Sequence, residues 1–318
     1  MKALVCGVGG QDGAYLTRLL LDRGYEVVGT SRDAMTTTFN PLRQLGILDK
    51  IETVSMALND FRSVTHTLRQ YAPDEVYNLA GQTSVGLSFQ QPVETMESIV
   101  GGTLNILEAI RFVGLPIRFY NAGSSESFGE TGDAPANEAT PFSPRSPYAV
   151  AKASAFWLVS NYREAYGLFA CTGILFNHES PMRHPRFVTQ KIVQTAARIR
   201  AGSRERLKLG NVQIERDWGW APDYVEAMWR MLNAEKPDDF VIATGRTVSL
   251  GYFVERVFQE FGLEVKDHLE LDQTLLRPTD ILIGRADPSK AKERLGWAHS
   301  TDVDGVIAKM CEPFHGVC

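Results

Sequence analysis

The chain has 318 residues, of which 44% are hydrophobic and 22% charged, and its formal net charge at pH 7 is −5. This balance is typical of a globular protein of roughly two domains and excludes a disordered or fibrous chain. The acidic surplus argues against nucleic acid as the main partner, and no apolar run approaches the roughly 20 residues that span a bilayer.

The cysteines and the start of the chain indicate the compartment. Residues 1–5 lead directly into a strand-like pattern with no signal peptide. The four cysteines are scattered and include no Cys-x-x-Cys pair. We therefore expect a reduced, cytoplasmic protein with no metal site and no membrane partner.

The first half of the chain alternates short apolar runs, typical of buried strands, with longer amphipathic runs, typical of helices. The predicted strands are residues 3–6, 26–30, 75–79, 117–122 and 170–176. The predicted helices are residues 14–23, 63–71, 93–113 and 147–166. This alternation predicts an α/β fold with a Rossmann-type, doubly wound parallel sheet.

After residue 176 the alternation loosens. Residues 180–186 hold two prolines and three basic residues, which predicts a loop that closes over a ligand. Helices are predicted at 187–201, 223–232 and 251–261, and a strand at 240–244. We expect one domain over residues 1–176 and a smaller, mixed C-terminal domain over 177–318, interleaved with the first.

A glycine-rich loop follows the first predicted strand. Gly7, Gly10 and Gly13, with Gln11 and Asp12 among them, lie where a strand passes into a helix. A dinucleotide needs glycines at this place, because its pyrophosphate approaches the backbone closely at a helix N-terminus. The pattern predicts a dinucleotide site; the alternative is a tight turn without a ligand.

The end of the second strand bears on which dinucleotide binds. Sites for NAD place an acid there to hold the ribose hydroxyls. Here Arg32 takes that place and suits a 2′-phosphate, but Asp33 beside it carries the opposite charge. The residues favour NADP over NAD, and a surface arginine without a ligand is the alternative.

Four residues form the predicted catalytic group. Tyr148 and Lys152 are four residues apart, so both lie on one face of a helix, and the ammonium is expected to lower the pKa of the phenol. Ser124 and Glu126 follow a predicted parallel strand, whose carboxyl end borders the ligand crevice. They provide a proton donor and a base; the alternatives are a chance Tyr-Lys pair and a serine-rich turn.

Longer motifs carry a family resemblance that runs nearly from end to end. They cover residues 10–16, 74–80, 144–152, 173–181, 216–219, 223–229, 277–278 and 295–297. On these stretches the chain resembles the GDP-mannose 4,6-dehydratase family of the extended short-chain dehydrogenase/reductase superfamily. The resemblance implies a lyase in which the first domain binds NADP and the second mainly binds a nucleotide sugar.

The resemblance also implies residue roles. Tyr148 takes the proton of the sugar 4-hydroxyl, Glu126 removes the C5 proton and helps to expel water, and Ser124 polarises the sugar oxygens. Hydride leaves C4 and returns at C6, so the product is GDP-4-keto-6-deoxymannose. Implied cofactor contacts are Gly7, Gly10, Gln11, Asp12, Gly13, Arg32, Leu58, Leu79, Ala80, Gln82, Tyr148, Lys152, His178 and Arg183. Implied substrate contacts are Ser84, Ser124, Glu126, Asn177, Val188, Lys191, Arg216 and Arg277.

Three departures from the family pattern matter. Ser124 stands where the family usually has threonine, which preserves the hydroxyl. Arg32-Asp33 stands where the family has two arginines, which weakens the NADP prediction. Ala57 stands where the family has an aspartate near the adenine, so this cofactor contact is reduced or rearranged.

The sequence leaves several competing functions open. A 4-epimerase or 4-keto reductase of the same superfamily needs Tyr148 and Lys152 but no C5 base, so Glu126 discriminates. A dehydratase of a related GDP-sugar, such as a GDP-heptose, and a cofactor-binding regulatory protein without catalysis are two more candidates. Apolar residues spread round the helices at 93–113 and 147–166 predict a homodimer or homotetramer; the alternative is that they fill the core of a single chain.

Overall fold

The structure, a computed structural model, describes residues 1–276 and 278–315. Its strands are β1 Lys2–Cys6, β2 Glu26–Ser31, β3 Glu52–Ser55, β4 Glu75–Asn78, β5 Arg118–Ala122, β6 Ala170–Leu175, β7 Asn177–Glu179, β8 Leu207–Leu209, β9 Glu215–Trp220, β10 Phe240–Ile242, β11 Thr247–Ser249 and β12 Leu269–Leu271. Its helices are α1 Gln11–Asp22, α2 Asn40–Gln44, α3 Phe61–Tyr71, α4 Val85–Gln90, α5 Pro92–Met96, α6 Gly102–Val113, α7 Pro147–Tyr166, α8 Val188–Arg200, α9 Ala221–Leu232, α10 Leu250–Glu260, α11 Val265–His268, α12 Ser289–Leu295 and α13 Val303–Cys311.

The central sheet has seven parallel strands in the order β10-β6-β5-β4-β1-β2-β3. This confirms the predicted α/β fold. Side chains of α1 and α9 pack into the core on one face, and those of α3, α6 and α7 into the core on the other. The strand order reverses between β1 and β4, and such a switch point is where doubly wound sheets bind ligands.

The second half of the chain builds a smaller layer and returns to the first. Strands β7, β9 and β11 form one small sheet, while β8 and β12 form another. A separate core joins α8, α10 and α13. In contrast, α9 packs on α1, and β10 extends the central sheet beside β6. The domain boundary at residue 176 stays a prediction.

The predicted helix at 93–113 is present with an irregular segment. Between α5 and α6 the residues Glu97–Gly101 form a π-helical turn, so the helical backbone runs from Pro92 to Val113. The helix predicted at 14–23 begins earlier, at Gln11, directly after the glycine loop. Among the described residues, no helix has both the length and the apolar content to cross a bilayer.

Candidate active site

A crevice of about 400 Å³ lies at the carboxyl ends of the central strands, between the sheet and the second half of the chain. Predicted site residues from both halves line it. They are Asp12, Leu79, Ser84, Ser124, Glu126, Tyr148, Lys152, Asn177, His178, Arg183, Val188, Lys191 and Arg216. The fold therefore brings together residues that are far apart in the sequence.

Helix α7 positions the Tyr-Lys pair. Ser146 caps its N-terminus by accepting a hydrogen bond from the backbone N–H of Ala149 at 3.1 Å. Tyr148 and Lys152 follow one turn apart, and both are buried. The Lys152 ammonium donates to the carbonyl of Ala122, at the end of β5, at 2.7 Å. This bond ties the start of α7 to the strand that precedes the other two catalytic candidates.

Ser124 and Glu126 occupy the turn after β5. The Ser124 hydroxyl caps a short 3₁₀-helix by accepting from the backbone N–H of Glu126 at 3.3 Å. Ser124 also shares a hydrogen bond with the phenol of Tyr148. The carboxylate of Glu126 is close enough to raise the pKa of that phenol by charge repulsion. A hydroxyl pair and a carboxylate therefore meet at one point of the crevice.

The pKa values of this group differ from the sequence-based expectation. Burial raises the pKa of Tyr148 to about 12, although the Ser124 hydrogen bond opposes the shift. Burial lowers the pKa of Lys152 to about 8. The prediction that Lys152 lowers the pKa of Tyr148 is wrong for the protein alone. The ammonium lies 5.8 Å from the centre of the tyrosine ring and is bonded to a carbonyl.

The glycine loop is shaped by close backbone contacts. Gly7 has φ +82°, and a Cβ there would lie 3.0 Å from the backbone of Ala80. A Cβ on Gly13 would lie 2.5 Å from the carbonyl oxygen of Gly7 and 2.7 Å from Cα of Val8. Larger side chains cannot occupy either position without a shift of the backbone. The turn therefore leaves the backbone open at the start of α1, as a pyrophosphate requires.

Asp12 and His178 join this loop to the second half of the chain. Nε2 of His178 lies 2.8 Å from the Asp12 carboxylate, and Nδ1 lies 2.8 Å from the carbonyl of Phe176. The His178 ring stacks on Tyr224 at 4.5 Å. Although burial opposes it, the charge of His178 and its hydrogen bond lower the pKa of Asp12 to about 2. The carboxylate is therefore ionised and partly neutralised by the imidazole.

Several predicted cofactor residues lie outside the lining of the crevice. This group comprises Gly7, Gly10, Gln11, Gly13, Arg32, Leu58, Ala80 and Gln82. Gln82 bonds to Ser84 and Thr95, and Leu58 lies against Gly102 of α6. The side chain of Arg32 is 78% exposed and pairs with Glu94 at 3.1 Å. Asp33 turns its carboxylate towards the backbone N–H groups of Met35 and Thr36.

Two predicted substrate residues of the second half, Lys191 and Arg216, form a basic wall of the crevice. Arg216 is buried and donates to the carbonyl of Ile281 at 2.8 Å. Lys191, in the first turn of α8, donates to the carbonyl of Lys208 at 2.6 Å. Cationic and forked donors of this kind suit a diphosphate. Arg277, the remaining predicted contact, lies outside the described residues.

The sequence-based prediction missed other residues of the crevice. The lining also includes Thr83, Arg186, Phe187, Lys208 and Asn211. Arg186 could have been predicted, because it belongs to the basic loop that was expected to close over a ligand. Lys208 and Asn211 lie in and just after a strand of only three residues, which leaves no periodic signal.

Comparisons with known proteins agree with this arrangement. A family profile described as GDP-mannose 4,6 dehydratase matches residues 4–310. GDP-mannose 4,6 dehydratase 1 of Arabidopsis thaliana is 47% identical over 98% of this chain and 88% of its own length. GDP-mannose 4,6-dehydratase of Sinorhizobium fredii is 44% identical, with 97% and 95% covered.

Solved structures share the fold. A Thermus thermophilus UDP-glucose 4-epimerase in complex with NAD superposes with a TM-score of 0.88 at 25% identity, covering all of both chains. RMD from Pseudomonas aeruginosa, complexed with NADPH, has a TM-score of 0.81 at 22% identity, with 98% of each chain covered. The profile match over residues 4–310 and the identity of the relatives confirm the resemblance, and the chain belongs to the GDP-mannose 4,6-dehydratase family.

Proposed function

We propose that the protein converts GDP-mannose to GDP-4-keto-6-deoxymannose with loss of water. One observation carries the proposal: the crevice holds the Ser124 hydroxyl, the Tyr148 phenol and the Glu126 carboxylate at one point, beside a basic wall. The family membership supports the same reaction, since the relatives of 40–47% identity are GDP-mannose 4,6-dehydratases.

The glycine loop supports a nicotinamide dinucleotide as cofactor. At Gly7 and Gly13 a side chain would collide with neighbouring backbone atoms, so the glycines keep the backbone of the turn uncovered for a pyrophosphate. Two proteins of the same fold bind NAD or NADPH. Of these, NADP is the form that we propose for this chain, because Arg32 provides a cation at the end of β2. The glycine loop, Tyr148 and Lys152 would hold this cofactor, which would supply an acceptor that takes hydride from C4 and gives it back at C6.

The side chains of the chain move the protons. Tyr148 accepts the proton of the 4-hydroxyl while Ser124 holds the same oxygen. The resulting ketone acidifies the C5–H bond, and Glu126 removes that proton. The Glu126 carboxyl then protonates the 6-hydroxyl, which leaves as water. The hydride taken from C4 would be returned at C6, and the proton that Tyr148 took from the 4-hydroxyl goes back to C5, so Tyr148 is regenerated and the reaction has no net oxidation.

The position of Glu126 favours dehydration over 4-epimerisation. A 4-epimerase or 4-keto reductase requires the Tyr-Lys pair but no base for C5. A GDP-heptose dehydratase would use the same groups, and the basic wall does not distinguish the two sugars. The experiment is therefore to incubate the purified protein and NADP with GDP-mannose, a GDP-heptose and UDP-glucose.

Mass spectrometry of the products decides among these functions. We expect GDP-mannose to lose the mass of one water and UDP-glucose to remain unchanged. An isomer of unchanged mass would instead indicate epimerisation. Water loss from the GDP-heptose alone would reassign the substrate.

We also propose that α6 and α7 form the interface of a homodimer. Phe112 and Trp157 are each 61% exposed, and Tyr166 is 47% exposed. Val159, another apolar residue of α7, is buried in the core of the chain and takes no part. Exposed aromatic side chains on adjacent helices favour a self-complementary contact. Sedimentation at micromolar concentration tests this, since a species of 35.3 kDa would contradict it.

A further inference from the structure

The basic loop, residues 180–186, lies between β7 and α8 and forms two successive turns, the second of which ends at Phe187. The backbone N–H of Arg183 donates to the carbonyl of Ser180 at 3.0 Å, and that of Phe187 donates to the carbonyl of His184 at 3.0 Å. The Ser180 hydroxyl donates to Gln11 of α1 at 2.7 Å. The loop is therefore attached to the glycine-loop helix at its start.

Buried contacts hold the loop at its other end as well. The carboxylate of Glu179, which is 1% exposed, accepts from the hydroxyl of Thr189 at 2.7 Å and pairs with Nε of Arg183 at 3.3 Å. The guanidinium of Arg183 also lies over the ring of Phe187 at 3.7 Å. These contacts fix both turns and leave Arg186 near the second one, at the wall of the crevice.

The cations of the crevice differ in how far the protein neutralises them. Arg183 pairs with Glu179, Lys208 pairs with Glu270 at 3.0 Å, and Arg216 lies 3.7 Å from the Asp280 carboxylate. Arg186 has no carboxylate within salt-bridge distance in the part of the chain that the structure describes. Its charge therefore remains available to an anionic ligand.

A histidine orients the Arg186 side chain. The backbone N–H and the Nε–H of Arg186 both donate to Nδ1 of His184, at 3.1 and 3.2 Å. Burial and the charge of Arg186 lower the pKa of His184, which keeps its ring neutral and able to accept. These bonds use neither terminal NH2 group of Arg186, and these two groups are the forked donors that bind phosphate.

We infer that Arg186 is a further phosphate-binding residue and contacts the diphosphate of the nucleotide sugar. This inference rests on the proposed function. The substrate diphosphate is favoured over the cofactor pyrophosphate, because Arg186 directly precedes Phe187, whose carbonyl accepts from the backbone N–H of Lys191 at 2.9 Å, and the Lys191 ammonium donates to the carbonyl of Lys208. Of the glycine loop, where the pyrophosphate is predicted, Asp12 lines the crevice, and its carboxylate is paired with His178 rather than with Arg186.

Calorimetric titration with GDP, GMP and guanosine tests the inference. We expect Arg186→Ala to weaken GDP binding by about tenfold or more, as a charge-assisted bond to phosphate implies. The loss should be smaller for GMP and absent for guanosine. Arg186→Lys should lie between, since it keeps the charge but loses the fork and the bond to His184. Arg200→Ala, which removes an exposed arginine at the end of α8, is the matched control and should bind GDP like the wild type.

The outcomes separate this inference from the proposed function. A wild type that binds GDP no better than UDP would overturn the proposed function and the inference with it. A wild type that prefers GDP, with Arg186→Ala binding GDP equally well, would overturn the inference alone. An Arg186→Ala variant that loses affinity for NADP while it keeps that for GDP would also overturn it. Thermal unfolding by circular dichroism establishes that each variant is folded.

Discussion

Two regions of the predicted site, the β5–α7 end of the crevice and the end of β2 outside the crevice lining, are built in opposite ways. At the β5–α7 end, Tyr148 and Lys152 are buried, and Lys152 is bonded to the end of a fixed strand. At the β2 end, Arg32 is largely exposed and pairs with Glu94, itself half exposed. Burial strengthens the electrostatic interactions of a side chain and fixes its position. Solvent, in contrast, screens an exposed ion pair, so that the pair contributes about 1 kcal/mol or less to stability.

This difference in burial indicates where single substitutions should have large effects. At the buried end, Tyr148 and Lys152 have shifted pKa values, and a buried hydrogen bond to the carbonyl of Ala122 holds Lys152. At the exposed end, water and nearby side chains can substitute for a lost contact. We therefore expect turnover to fall strongly when a single residue of the buried end is replaced. The preference for NADP over NAD should instead result from several weak contacts.

The largest effect is expected for Tyr148→Phe. Removal of the phenol leaves the 4-hydroxyl proton without an acceptor, so turnover should fall by about 10²–10⁴-fold. The variant should remain folded, because the ring and its packing are kept. Turnover of GDP-mannose measures the loss, and Tyr166→Phe, at the exposed end of α7, is the control. Near-normal turnover of Tyr148→Phe would show that another group begins the reaction.

Lys152→Met should separate stability from activity. Burial lowers the pKa of Lys152 to about 8 from an ordinary value of 10.5, so the fold disfavours the charged form. This destabilises the protein below about pH 8, and the effect fades as the pH rises towards 10.5. Loss of the bond to Ala122 offsets part of the gain.

We therefore expect the cofactor-free Lys152→Met variant to be more stable than the wild type at pH 7, by about 1 kcal/mol. Its turnover should nevertheless fall about 10²-fold. Urea unfolding at pH 7 and at pH 10 measures the free energies. A variant less stable than the wild type at pH 7 would show that the buried charge is well compensated.

The smallest effect is expected for Arg32→Ala. Its guanidinium can bind a 2′-phosphate, but Glu94 competes for it and Asp33 carries the opposite charge nearby. We expect NADP affinity to fall about fivefold and NAD affinity to stay unchanged. Fluorescence titration with both cofactors measures this, with Arg62→Ala as the exposed control. Tighter binding of NAD than of NADP, unaffected by Arg32→Ala, would refute the preference.

The sequence predicted the buried end better than the exposed end for a physical reason. Strands β4, β5 and β6 are buried runs that bring fixed side chains to one edge, so Ser124, Glu126 and Tyr148 could be placed together. The pKa of Tyr148 could not be predicted, because it depends on burial by residues remote in the chain. Nor could the pairing of Arg32 with Glu94, which lie 62 residues apart.

The wall from the second half of the chain was predicted only in part. Lys191 and Arg216 were predicted from the family resemblance, whereas Lys208 is the middle residue of the three-residue strand β8, which is too short to show hydrophobic periodicity. Edge strand β3 is likewise short and only partly buried, which weakens its alternation. Short exposed elements are positioned by tertiary contacts, and a local pattern contains little of that information.

The most direct test of the central claim is a single-turnover experiment on Glu126→Gln with GDP-mannose. The carboxylate is required only after the oxidation, to remove the C5 proton and then protonate the 6-hydroxyl, so the 4-hydroxyl should still be oxidised. We expect the absorbance of the reduced cofactor to accumulate in proportion to enzyme, with no loss of water from the sugar by mass spectrometry. Water loss at the wild-type rate would contradict the assignment of Glu126 as the base that makes this protein a dehydratase.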